Sequence, residues 1–307
     1  YFQLPMANSG SISKAVQQSI SSIEMVNDAA NNFWPYSKYS KFLETDNFVW
    51  HYQLIGKPGN PIILLIHGAG ASSHSWANLI PKLNEFQVLA VDLPGHRFSK
   101  IKKGIRPQHD TIVMDLIILF ESLKIKPNVF VGHSIGAVIV LSLSVIYEGP
   151  LSSIVLINGA LERFEGPAGT IFPLMARVFY ASPLTKYWIR LFNSAETSLR
   201  KFLTISGSNL TIKNIDYYMK LMTDEDHVTG TLAFISNWNI GDIEKKLKKV
   251  SVPTLFLAGM RDGIVNYKTS VRAHKKAFNA KIKLFESEGH LIHEVSSAKI
   301  AKEINSL

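Results

Sequence analysis

The sequence predicts a doubly wound α/β fold: a mostly parallel sheet with helices on both faces and a helical lid insertion. Three observations predict it. Short apolar runs alternate with helix-patterned stretches over most of the chain. The runs carry no polar alternation, as expected of strands buried on both faces with helices as crossovers. The rhythm then breaks once, between residues 161 and 240, where the pattern is helical and no core strand is evident.

Taken in order, Tyr1-Phe2-Gln3 reads as the remnant of a cleavable tag. Residues 1–5 are therefore set aside, and Met6 is the expected native start. Residues 6–38 are expected to be a helical extension. Within it, Ile12, Val16, Ile20, Ile23 and Val26 lie near helical spacing. That predicts an amphipathic helix packed on the body, with a cap over the active site or weak contact to a membrane surface as the alternatives. The α/β core is expected at 39–160 and 241–307. It opens with strands at 41–44 and 48–54, joined by a turn at Asp46-Asn47. Further strands are expected at 62–66, 88–91, 129–131, 154–157, 254–257 and 281–285. Helices are expected near 76–83, 111–123, 135–147, 267–278 and 292–304. The interval 161–240 is rich in aromatics, among them Phe172, Tyr187, Trp188, Tyr217, Phe234 and Trp238. Such a composition suits a lid over an apolar pocket.

Composition narrows the function classes. The chain has 307 residues, 46% of them hydrophobic, and no cysteine. There is thus no disulfide framework, thiolate metal site or cysteine nucleophile, and a cytoplasmic location is expected. No apolar run is long enough to span a bilayer. The net charge is +9, but no zinc-finger, RNA-binding or phosphate-loop spacing accompanies it, so no nucleic-acid partner is expected. Lys245, Lys246, Lys248 and Lys249, interrupted by Leu247, read as one solvated helix face.

Gly132-His133-Ser134-Ile135-Gly136 carries the chemistry. A G-x-S-x-G stretch between a strand and a helix is a nucleophile elbow, whose glycines permit a turn too tight for side chains. A serine hydroxyl needs a base, and in this topology the acid and then the base follow it in the chain. Asp262, after the strand at 254–257, is the expected acid. His290, after the strand at 281–285, is the expected base. His293 lies inside the following helix and is expected to play a supporting or surface part. Glu286 and Glu288 lie on the wrong loop for the acid, and Asp224, Glu225 and Asp226 read as a solvated loop or helix start. His133 is expected to be structural. An oxyanion hole needs two backbone N–H donors. Ile135 supplies one, and the loop His67-Gly68-Ala69-Gly70 supplies the other, at Ala69 or, alternatively, Gly70. His67 is expected to tie that loop together.

These residues, with Asp92-Leu93-Pro94-Gly95-His96, resemble the α/β-hydrolase superfamily from about residue 41 onward. Trp34-Pro35, Trp50-His51 and the stretch from His67 to Trp76 narrow the resemblance to the magnesium-chelatase accessory hydrolases of bacteriochlorophyll biosynthesis. One departure is visible: many relatives have a second glycine after Gly95-His96, where this chain has Arg97. Together the motif and the resemblance imply a serine esterase acting on a small hydrophobic acyl substrate, with no cofactor and no metal. The alternative on the same fold is a non-catalytic accessory or carrier protein in tetrapyrrole metabolism.

Overall fold

A computed structural model of the chain describes residues 34–162, 195–239 and 241–307. The helix expected at 11–30 and the first part of the insertion, 163–194, lie outside the described residues.

The strands are β1 (Ser40–Glu44), β2 (Phe48–Ile55), β3 (Ile62–Ile66), β4 (Gln87–Val91), β5 (Lys100–Ile101), β6 (Val129–His133), β7 (Ser153–Ile157), β8 (Thr254–Gly259) and β9 (Ala280–Phe285). They form one sheet in the order β1-β2-β4-β3-β6-β7-β8-β9, with the short β5 paired to β2. From β4 through β9 along that order every pairing is parallel, whereas β2 runs antiparallel to β1, β4 and β5. The expected mostly parallel α/β sheet is therefore the observed one.

Alternation along each central strand sends side chains to two cores. Leu64, Ile66, Leu89, Val91, Phe130, Leu156 and Phe256 face one. Ile63, Leu65, Val88, Ala90, Val131, Val155 and Leu257 face the other. Helices α1 (His109–Leu123) and α2 (Ile135–Ile146) cover the first face. Helix α2 is buried over most of its circumference, from Ile135 through Leu143, as its apolar sequence requires. The edge strand β9 instead alternates, with Lys281 and Lys283 exposed, which guards an unpaired edge against further pairing.

The insertion leaves the core between β7 and β8. Its described helices are α3 (Ala195–Ser206), α4 (Ile212–Thr223) and α5 (Glu225–Ser236), followed by α6 (Ile243–Lys249). Leu199, Tyr217, Tyr218 and Leu221 pack with Trp34, Ala71 and Leu291 in a third cluster. Helix α6 buries Ile243 and Leu247 in the core and turns Lys245, Lys248 and Lys249 outward. The chain closes with α7 (Tyr267–His274), α8 (Ile292–Val295) and α9 (Ser297–Ile304). Among the described residues, no helix is long and apolar enough to cross a membrane.

Three expected helices differ. The stretch 76–83 forms two short 3-10 turns, Ser73–Trp76 and Ile80–Lys82, because Pro81 sits at the start of the second and cannot continue an α-helix. The helix expected at 267–278 ends at His274. The one at 292–304 breaks at Ser296, which leaves the helical conformation (φ −117°, ψ 42°).

Candidate active site

Ser134 stands between the end of β6 and the first turn of α2, at φ 54° and ψ −115°. A non-glycine residue held there is strained, and the packing around it supplies the constraint. A Cβ on Gly136 would overlap the carbonyls of Ile66 and His67, and one on Gly132 would overlap the Gly136 backbone. Both glycines are thus demanded by contact. Ser134 is half-buried, and its N–H donates to Ile157 O at 2.9 Å.

His290 and Asp262 are brought together. His290 Nδ1 lies 2.7 Å from Asp262 Oδ2, and both side chains are buried. Asp262 Oδ1 accepts the N–H groups of Ile264 and Val265, each at 2.8 Å. A carboxylate occupied in this way only accepts, so His290 Nδ1 is the donor of this bond. No hydrogen bond joins His290 Nε2 to the Ser134 hydroxyl in this structure. Such bonds between nucleophile and base commonly tighten only with substrate in place.

The His290 backbone is clamped from three sides. Its N–H donates to Ser206 O at 2.7 Å. Its carbonyl accepts from Asn158 Nδ2 at 2.7 Å and from His133 Nε2 at 2.9 Å. The next residue, Leu291, donates to Ser208 Oγ at 2.9 Å. Asn158 also donates to Gly289 O and accepts from the Gly259 N–H, so one side chain ties the His290 loop to the end of β8. The structural expectation for His133 matches this bond. Burial, with His293 and His290 close by, holds its imidazole neutral and well below the ordinary histidine range. Sequence reasoning missed Asn158, Ser206 and Ser208. The only signal was the Asn158-Gly159 pair after a strand, which reads as any turn.

The loop after β3 lies directly on Ser134. A Cβ on Gly68 would come within 3.1 Å of Ser134 Cβ and 2.9 Å of His133 Nδ1. Among the described residues, neither the Ile135 N–H nor the Ala69 N–H has an acceptor, and Ala69 is exposed. His67 ties the loop as expected. Its Nε2 accepts the Leu93 N–H at 2.9 Å, so Nδ1 carries the proton and donates to Gly68 O at 2.7 Å. Burial keeps His67 below the usual histidine range.

Among the described residues, the remaining candidates make no hydrogen bond to the Asp262–His290 pair. His293 is fully buried, which excludes a surface position; it packs on Trp76 and His133, with both ring nitrogens unpartnered. Glu288 bonds Ser296 and Lys299. Asp224 is a helix start, capping α5 through the N–H groups of Asp226 and His227. Among the described residues, no group of three or more His, Cys, Asp or Glu side chains is placed to hold a metal ion.

Comparison with known proteins agrees with this architecture. Residues 61–297 match the family model described as the alpha/beta hydrolase fold. The magnesium-chelatase 30 kDa subunit of Rhodobacter capsulatus is 32% identical over 269 residues, covering 86% of this chain and 92% of that protein. Among solved structures, an esterase from Exiguobacterium antarcticum superposes with a TM-score of 0.70 at 18% identity, covering 87% of this chain and 98% of the other. The enol-lactonase of Burkholderia xenovorans gives a TM-score of 0.70 at 17% identity, with the same coverage. At those identities the two structures speak to fold alone.

Proposed function

This chain belongs to the α/β-hydrolase family, and from that premise we propose that it is a serine hydrolase cleaving an ester-type acyl bond of a small hydrophobic substrate. One observation carries the proposal. A histidine whose Nδ1 is committed to a buried carboxylate packs at 4.6 Å on the ring of His133, the residue before a serine on a strained strand-to-helix turn.

In the proposed reaction His290 Nε2 takes the Ser134 proton as the hydroxyl attacks the substrate carbonyl. The Asp262 carboxylate steadies the imidazolium that forms. The Ile135 and Ala69 N–H groups receive the oxyanion, aided by the N-terminus of α2 behind Ser134. His290 then protonates the leaving group and later activates the water that releases the acyl group. Every proton taken up is returned, so the chain's own groups and water close the cycle. The helical insertion serves as the lid, and its aromatic side chains favour an apolar acyl group.

A second proposal is favoured by the 32% identity to the Rhodobacter magnesium-chelatase subunit. The chain would then serve tetrapyrrole metabolism as an accessory or carrier protein without turnover.

Intact-mass measurement after treatment with a fluorophosphonate separates the two. The parent is expected to gain one adduct that Ser134→Ala does not. A folded parent that gains none would overturn the hydrolase proposal and leave the carrier role.

A further inference from the structure

Helix α5 of the insertion reaches the candidate oxyanion loop through one side chain. His227 is buried, and its Nδ1 lies 2.9 Å from the Arg97 backbone nitrogen. A backbone N–H can only donate, so Nδ1 is the acceptor and Nε2 carries the proton. That Nε2 lies 3.3 Å from Gly70 O. Burial, the largest influence, depresses the imidazole pKa to about 4, so the ring stays neutral at pH 7 with its two roles fixed.

The bond matters because of how the loop is wired. Gly70 O belongs to the same planar peptide as the Ala71 N–H. That N–H donates to Gly68 O at 3.2 Å, where His67 Nδ1 also donates. Gly68 O in turn belongs to the peptide that carries the Ala69 N–H. Fixing the Gly70–Ala71 peptide therefore helps fix the plane in which the Ala69 N–H points. His67 holds one end of this relay from the core, and His227 holds the other from the insertion.

His227 is itself held by a dedicated contact. Asp224 Oδ1 caps the first turn of α5, and its Oδ2 receives Arg97 Nη1 at 2.6 Å. The Arg97 guanidinium lies over the rings of Trp34 and Phe98, at 4.7 and 4.3 Å from their centroids. The α5 backbone approaches so closely that a Cβ on Gly95 would come within 2.8 Å of Gly230 O. Arg97 has φ 44°, a left-handed conformation that a glycine takes freely. The position keeps that backbone shape while adding a side chain that grips the insertion.

We propose that His227 is a positioning residue for the oxyanion hole, so that the insertion completes the hole only when α5 is docked on Gly70 and Arg97. The proposal rests on Ser134 being the nucleophile and Ala69 being an oxyanion donor. It makes the insertion part of the rate-determining machinery as well as a cover.

Two substitutions divide the ring's two bonds. Glutamine places an amide N–H near the position of Nε2 and keeps the donor to Gly70 O. Asparagine places its amide near Nδ1 and loses that donor. Phenylalanine keeps the ring and loses both bonds. The measurement is the rate of fluorophosphonate adduct formation at Ser134 across reagent concentrations, with circular dichroism to confirm folding. H227N and H227F are expected to lower the limiting rate about ten- to a hundredfold with little change in the half-saturating concentration, somewhat less than removal of an oxyanion donor itself. H227Q is expected to stay within about threefold of the parent, since its donor to Gly70 O is retained. A purely structural histidine would not separate Gln from Asn. Parent-like rates in H227N and H227F, or equal loss in H227Q and H227N, would overturn the proposal while leaving Ser134 as the nucleophile. An unlabelled parent would defeat the nucleophile assignment and this proposal with it.

Discussion

In the proposed reaction, Asp262 determines which nitrogen of His290 takes up the Ser134 proton. In Asp262→Asn the side-chain oxygen would stay with the Ile264 and Val265 N–H groups, turning the amide N–H toward His290. His290 Nδ1 would then have to accept, placing the ring proton on Nε2, where it blocks deprotonation of Ser134. Hydrolysis of a chromogenic ester is expected to fall by about 10³–10⁴ while the elbow keeps its geometry. A rate within about tenfold of the parent would remove Asp262 from this role. Ser134 and its glycines were legible in the sequence because the elbow is a local object of five residues. Asp262 and His290 were legible because the topology fixes their chain order. Asn158 was not, because it acts on a carbonyl 132 residues away. His227 was hidden for the same reason: a single histidine in a helical stretch does not announce a loop 157 residues upstream.

Among the elements, the central strands were legible nearly to the residue, because burial on both faces leaves no other use for an apolar pentamer. The helices were less so, since their ends depend on particular partners. Helix α8 is the clearest case, for it carries Glu294 into the interface with α4. Glu294 Oε1 accepts from the Tyr218 hydroxyl at 2.6 Å and Oε2 from Asn214 Nδ2 at 2.9 Å. His293 Nε2 stands 3.9 Å from the same carboxyl. Desolvation dominates these bonds and raises the Glu294 pKa to about 7. A carboxyl whose pKa is raised on folding favours the fold below its unfolded pKa, about 4.5, and that contribution fades as pH rises through 7. Glu294→Gln removes the charge and hence the pH-dependent part. The melting temperature of E294Q relative to the parent is expected to be about 3–6 °C more favourable at pH 8.5 than at pH 5. A difference that is constant with pH would show that Glu294 is not a buried acid at this contact.

For the molecule as a whole, buried histidines set the acid limit. The pKa values of His67, His74, His96, His109, His133, His227 and His293 all lie below the usual value of 6.5, in each case chiefly through burial. Below 6.5 the unfolded chain binds protons that the folded chain refuses, so stability present above that pH is lost as pH falls. Each histidine still neutral one unit below 6.5 costs the fold roughly 1.4 kcal/mol. Melting temperature is therefore expected to drop steeply between pH 6.5 and 5, before the buried Asp92, held low by His51, begins to protonate. A flat profile across that window would mean that these rings gain protons in place. The insertion enters here in another way. Ser206 and Ser208 grip the backbone of His290 and Leu291 directly. A segment that anchors His290 in this manner is no interchangeable module. Transplanting the corresponding segment of a relative, to import that relative's preferences, would first dislodge His290, so a working chimera must keep residues 206–208 from this chain or redesign the base loop with them.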